Sequence, residues 1–148
     1  MKKHLITAIT ILFVPLFLHA QADRILGTWI TEKGTSSVEV AKTSDGTYAG
    51  KVNWLEEPNE DGKPKVDNEN EDPVLAKRPI MGLPLLSGFN YDAKKDRWID
   101  GSIYDPDNGK TYDCYAWFED GNYDVLYIKG YVAGIKALGR KTVWKAKK

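Results

Sequence analysis

Tight-turn signals punctuate this chain, and they constrain its fold more than any other feature. Lys33-Gly34 separates Ile25–Glu32 from Ser36–Lys42, and Ser44-Asp45-Gly46 separates that segment from Thr47–Leu55. Further on, Asp107-Asn108-Gly109 joins Arg97–Tyr104 to Lys110–Glu119, and Asp120-Gly121-Asn122 joins that to Tyr123–Val132. Each connection carries residues that tolerate the positive φ of a hairpin turn. The intervening segments alternate apolar and polar residues with the period of a strand. A last segment of the same kind runs from Gly139 to Ala146. No stretch shows a sustained helical period, although Glu71–Lys77 fits one turn of helix. Strands joined this tightly lie beside their sequence neighbours. The expected fold is all-β, an up-and-down antiparallel barrel of about eight strands. Closure also removes the free edges of an open sheet.

The alternation assigns faces. Trp29, Val38, Val40, Tyr48, Val52, Trp54, Ile99, Ile103, Tyr112, Cys114, Phe118, Leu126, Ile128, Thr142 and Trp144 share the expected interior. Gly50, Gly101 and Gly130 fall in phase with them, where strands of a narrow barrel approach closely. An interior with this many rings leaves little room for a large ligand. Arg140 shares the phase, and a buried cation must be paired or stacked. The outer faces are also aromatic. Tyr115 and Trp117 lie beside Tyr123, Tyr127 and Tyr131, with Lys129, Lys141, Lys145 and Lys147 among them. Such a patch is a candidate binding surface.

Residues 1–22 read as a signal peptide. Lys2 and Lys3 form its basic start, Leu5–Leu18 its apolar run, and Ala20-Gln21-Ala22 an A-x-A cleavage site that leaves a mature domain at 23–148. The run is shorter than the roughly 20 residues that span a bilayer, and Pro15 interrupts it. The expected location is periplasmic or secreted, with no membrane span. Both histidines, His4 and His19, fall in this segment, so the mature domain offers no imidazole nucleophile system or metal ligand. Without Lys2 and Lys3, the 21 basic residues fall to 19 against 21 acidic, which argues against nucleic acid as a partner. Cys114 has no second cysteine to pair with and reads as a small buried apolar residue. No metal and no cofactor are expected.

The span from Glu56 to Arg78 holds eight acids and few apolar residues, and reads as a long, mobile acidic loop. Its Asp67, Glu69, Asn70, Glu71 and Asp72 lack the spacing of a calcium loop. An Asx-turn at Asp67 and Asn70 is the structural alternative. Asp105 and Asp107 invite comparison with the paired carboxylates of a hydrolase. Asp105-Pro106-Asp107-Asn108-Gly109 is nonetheless strong turn chemistry, and no catalytic residue is assigned. Tyr104 and Tyr112, on either side of that turn, read as a cross-strand pair.

Two resemblances follow from these residues. Gly27-Thr28-Trp29 near the start and Arg140 in the last strand resemble the lipocalin and calycin signature. That resemblance implies a lipocalin-like barrel in which Arg140 covers Trp29 at the closed end. Gly101-Ser102-Ile103-Tyr104-Asp105-Pro106-Asp107-Asn108-Gly109-Lys110-Thr111-Tyr112 is similar to the hallmark hairpin of a bacterial exported family, domain of unknown function 2147. Tyr48–Val52, Asp67–Asn70 with Asp72-Pro73, Arg78–Leu83, Gly130-Tyr131 and Leu138–Arg140 with Trp144 fit the same family in order. It implies a small envelope protein whose biochemical role is unassigned. At the open end of such a barrel, Arg78 and Lys110 suit the acidic head of a small amphipathic ligand, and Tyr104 and Tyr112 its apolar part. The expected function is therefore an exported, non-enzymatic binding or interaction domain, taking that ligand or another envelope component. A carboxylate-dependent hydrolase of envelope material is the alternative.

Overall fold

The computed structural model describes residues 15–148, so most of the basic and apolar leader, residues 1–14, lies outside the described residues. Helix α1 (Pro15–Ala22) passes through a 3-10 turn at Asp23–Ile25 into β1 (Gly27–Ile30), β2 (Ser36–Lys42) and β3 (Tyr48–Leu55). A small hairpin follows, β4 (Asn59–Glu60) and β5 (Lys63–Pro64), and then a 3-10 turn at Leu75–Lys77. The chain continues as β6 (Pro84–Asp92), β7 (Arg97–Asp105), β8 (Lys110–Glu119), β9 (Asn122–Tyr131) and β10 (Arg140–Ala146). Eight of these strands close into one antiparallel barrel in the order β1-β10-β9-β8-β7-β6-β3-β2. The turn glycines Gly34, Gly46, Gly109 and Gly121 all adopt positive φ, as the hairpin chemistry predicts.

Successive strands run up and down, which sorts the connections. The β1–β2 turn, residues 56–83, the β7–β8 turn and the β9–β10 connection share one end, the rim. An ion pair between Lys33 and Asp107 links two of these turns. The N-terminal segment and the remaining turns form the floor.

Residues 22–25 build that floor one by one. The Ala22 carbonyl accepts the Trp98 Nε1 hydrogen at 3.0 Å, and Asp23 accepts from the Tyr48 hydroxyl at 2.6 Å and pairs with Lys42. Arg24 lies 4.3 Å over the Tyr123 ring and reaches Asp96. Ile25 is fully buried, and its carbonyl accepts Trp29 Nε1 at 2.9 Å.

The interior is filled, partly by residues that strict alternation misplaces. A bulge in β7 between Trp98 and Gly101 holds Asp100 at positive φ, and it turns Trp98 inward in place of Ile99. A second bulge, where Ser37 faces Trp54 and Val38 faces Val52, turns Trp54 outward beneath the Lys147 ammonium. Trp54 is 37% exposed, against 0% for Trp98. Phe89 and Leu86 of β6, with Leu83 just before it, complete the core. Phe89 lies where a side chain on residue 101 would stand, since a Cβ there would be 2.3 Å from its ring. Gly101 therefore makes room for Phe89.

Arg140 does not cover Trp29. Trp29 pairs with Ala146, whereas Arg140 pairs with Gly130 at the opposite end of β10. Six residues of strand separate those positions, on the order of 20 Å. Arg140 is exposed at the rim. Phe118 packs on Trp29 instead, with ring centroids 5.7 Å apart. The short β1 meets only the final residues of β10, and this offset in closing the barrel separates the pair.

Candidate functional site

Arg78, Tyr104, Lys110 and Tyr112 all come from rim elements, but they do not line one site. Tyr104 pairs with Thr111 and Ile103 with Tyr112, so the two tyrosines project from opposite faces of the hairpin. The expected Tyr104–Tyr112 pair is therefore not formed. Tyr112 faces inward near Gly130, and its hydroxyl accepts from Asn108 Nδ2 at 2.9 Å. Lys110 is exposed on the turn.

Tyr104 faces outward onto Asp67, which is fully buried. The Tyr104 hydroxyl donates to the Asp67 carboxylate at 2.6 Å, and Asn70 Nδ2 donates to it at 3.0 Å. Arg78 completes the cluster, with Nε and Nη2 each 2.9 Å from Asp67 Oδ2 and its guanidinium 5.1 Å from the Tyr104 ring centroid. Burial and the Asp67 carboxylate push the Tyr104 hydroxyl above its ordinary pKa. Arg78 and Tyr104 thus serve a satisfied buried anion.

That cluster overturns the picture of a mobile loop. A bridge between Val66 and Pro79 and paired backbone bonds Asp67 N to Arg78 O (3.0 Å) and Ile80 N to Lys65 O (2.9 Å) tie the segment to itself. Gly82 N donates to Val52 O, which ties it to the barrel. The segment also rests on the β7–β8 turn, where a Cβ on Gly109 would be 2.1 Å from the Glu69 carbonyl oxygen. Low hydrophobicity suggested mobility because the ordering force, one buried carboxylate with three donor side chains, is polar.

The turn carboxylates act as turn formers. Asp105 accepts from the Asp107 amide and from Asn108 Nδ2, both at 3.0 Å, while Asp107 pairs with Lys33. Cys114 is fully buried, and burial pushes its thiol above the ordinary range, so it is a poor nucleophile.

The outer wall of β7–β10 is different. Tyr115 stacks on Trp117 (5.3 Å between centroids), Trp117 stacks on Tyr127 (5.5 Å), and Tyr131 lies 6.2 Å from Tyr115. Cations lie over these rings: Arg97 over Tyr115, Lys136 over both Tyr115 and Tyr131, and Lys141 over Tyr127. Among the described residues, no carboxylate forms an ion pair with Arg97, Lys129, Lys136, Lys141 or Lys145. Tyr123 leaves this wall for the floor, because β8 and β9 shift register between Trp117 and Glu119. Lys147 leaves it for Trp54. Arg97 and Lys136 join it unforeseen. Alternation through Ile99 places Arg97 inward, and the β7 bulge that turns Trp98 into the core turns Arg97 out, whereas Lys136 reaches the wall from the irregular β9–β10 connection.

Two surface depressions open outside the barrel, and no buried core residue lines either. One lies between Glu60, Lys63 and Lys77. The other lies on the aromatic wall, beside Arg97, Tyr115 and Trp117.

Comparison with known proteins agrees with this architecture. The family described as "Uncharacterized protein conserved in bacteria (DUF2147)" matches residues 27–146, and the chain belongs to that family. No curated protein matches the sequence. Among solved structures, protein HP1028 from Helicobacter pylori, described as belonging to the lipocalin family, is similar with a TM-score of 0.68. The two are 22% identical, over 84% of this chain and 83% of that one. At that identity the likeness establishes a lipocalin-like fold.

Proposed function

We propose that this member of an uncharacterised bacterial family is an exported, non-enzymatic binding domain of the cell envelope. Its binding surface is the outer wall of β7–β10, and its ligand an anionic envelope saccharide. One observation carries the choice of surface: five cations on one aromatic wall without a carboxylate partner among the described residues. These cations outnumber the carboxylates beside the rings, Asp113 and Asp100 near Tyr131 and Glu119 at the Trp117 indole. The net field therefore attracts anions, and the row of rings supplies contact area. Export rests on the N-terminal pattern of Lys2, Lys3, the apolar run and the small residues before Asp23. An amphipathic ligand at the rim is less well supported, because Arg78 and Tyr104 already serve Asp67.

The test titrates the purified protein with dextran sulfate and with unmodified dextran, read by tryptophan fluorescence. Binding to the sulfated polymer alone, weakening as salt rises, is the expected result. Lys136→Glu with Lys141→Glu should weaken it by about tenfold or more, on the order of 1.4 kcal/mol. A double variant that binds like the wild type overturns the wall. So does tight binding of a fluorescent fatty acid that Lys110→Ala abolishes, which places the ligand at the rim.

A further inference from the structure

We propose that export processing cuts this chain between Ala20 and Gln21, so that the mature protein keeps Gln21 and Ala22. The inference rests on the export reading above, and it moves the cut two residues upstream of the A-x-A position after Ala22. Ala22 is not leader material in this fold. It packs against the buried core, and its carbonyl accepts the indole hydrogen of Trp98, a fully buried residue. Burial changes at the proposed junction: Ala20 is exposed, whereas Gln21 and Ala22 are half-buried.

A cut after Ala22 would take away the acceptor of a buried donor, which is costlier than losing an exposed hydrogen bond. It would also leave the Asp23 amine, a cation at neutral pH, beside the Trp98 indole. The three residues that follow Ala22 fix Tyr48, Tyr123 and Trp29 in turn, so the floor is one continuous device whose first member is Ala22. The peptidase acts before the barrel folds, so the fold does not steer the cut. It records which residues the product needs. Ala20 supplies the small residue immediately before the scissile bond, with Leu18 in place of a small residue two positions further upstream.

The test expresses the full chain in a bacterium with a cell envelope and measures the intact mass of the product in envelope and medium fractions. The expected mass is that of Gln21–Lys148. The same mass less one ammonia also supports the cut, since a terminal Gln21 amine can displace its own side-chain amide to close a lactam. An exported product beginning at Asp23, or at any other residue, overturns the cleavage site and leaves export standing. Full-length chain confined to the cytoplasm overturns export, and this inference with it.

Discussion

The guanidinium of Arg78 holds the carboxylate of Asp67 with two nitrogens at 2.9 Å, and Asp67 has no solvent exposure. Segments some ten residues apart in the long connection thereby become one body. Removing the cation strands a buried charge, whereas neutralising the anion does not. Arg78→Ala should therefore cost about 3 kcal/mol, the lower end for a broken buried pair, because the Arg78 side chain keeps 30% exposure. Asp67→Asn should cost less, and Arg78→Lys should restore only part of the loss, since an ammonium lacks the two-pronged geometry. Urea unfolding measures all three. Arg78→Ala at the stability of a surface variant would refute the account.

Trp29 and Arg140 give a contrast between neighbours in pattern and strangers in space. Arg140→Ala should leave stability within about 0.5 kcal/mol of wild type, as an exposed rim position. Trp29→Ala removes a ring 2% exposed and should cost about 3–5 kcal/mol. A large loss of melting temperature in Arg140→Ala would reinstate the stacking that the pairing register denies.

Gly101→Ala should destabilise by about 1–3 kcal/mol, because the added methyl enters the Phe89 ring. Gly101→Ala combined with Phe89→Leu should lose less than the sum of the two single changes. Strict additivity in thermal melts would show that the two positions do not share a space.

Asp23 and Tyr48 should give a stability difference that peaks at intermediate pH. The Tyr48 hydroxyl, with Lys42 nearby, holds the Asp23 carboxyl below its ordinary range. Its contribution is present above the unfolded carboxylate value of about 4 and fades as pH falls through the lowered folded value. Burial pushes Tyr48 itself upward, so the contribution of its neutral form is lost as pH climbs beyond about 10. Tyr48→Phe should thus be most destabilising near pH 7 and approach wild type at both extremes. A gap that is constant across pH would contradict the pairing.

The barrel was legible because its signals are local: glycine-bearing turns such as Lys33-Gly34, and period-two alternation within segments such as Ser36–Lys42. Bulges were not. Asp100 looks like any polar strand residue until it takes positive φ, and that one residue exchanges Ile99 for Trp98 in the core. Trp54 fails for the same reason. The Asp67 cluster was hidden because its members are separated by up to 37 positions, and a buried carboxylate is written with the same letter as a solvated one. The aromatic wall was visible in Tyr115, Trp117, Tyr127 and Tyr131, since their outward phase survives up to the register shift at Trp117.

The barrel closes where β1 meets β10, across the pairs Trp29 with Ala146 and Ile30 with Lys145 and a backbone bond from Lys147 N to Thr28 O at 2.9 Å. These are contacts between the two extremes of the domain, so the seam forms only when nearly the entire chain is present. Loop-closure entropy and high contact order make such an event slow. Until then β1 and β10 are open edges able to recruit foreign strands. Assembly of this protein is therefore a race between its last strand and its neighbours, and the narrow seam sets the time during which a chaperone would matter.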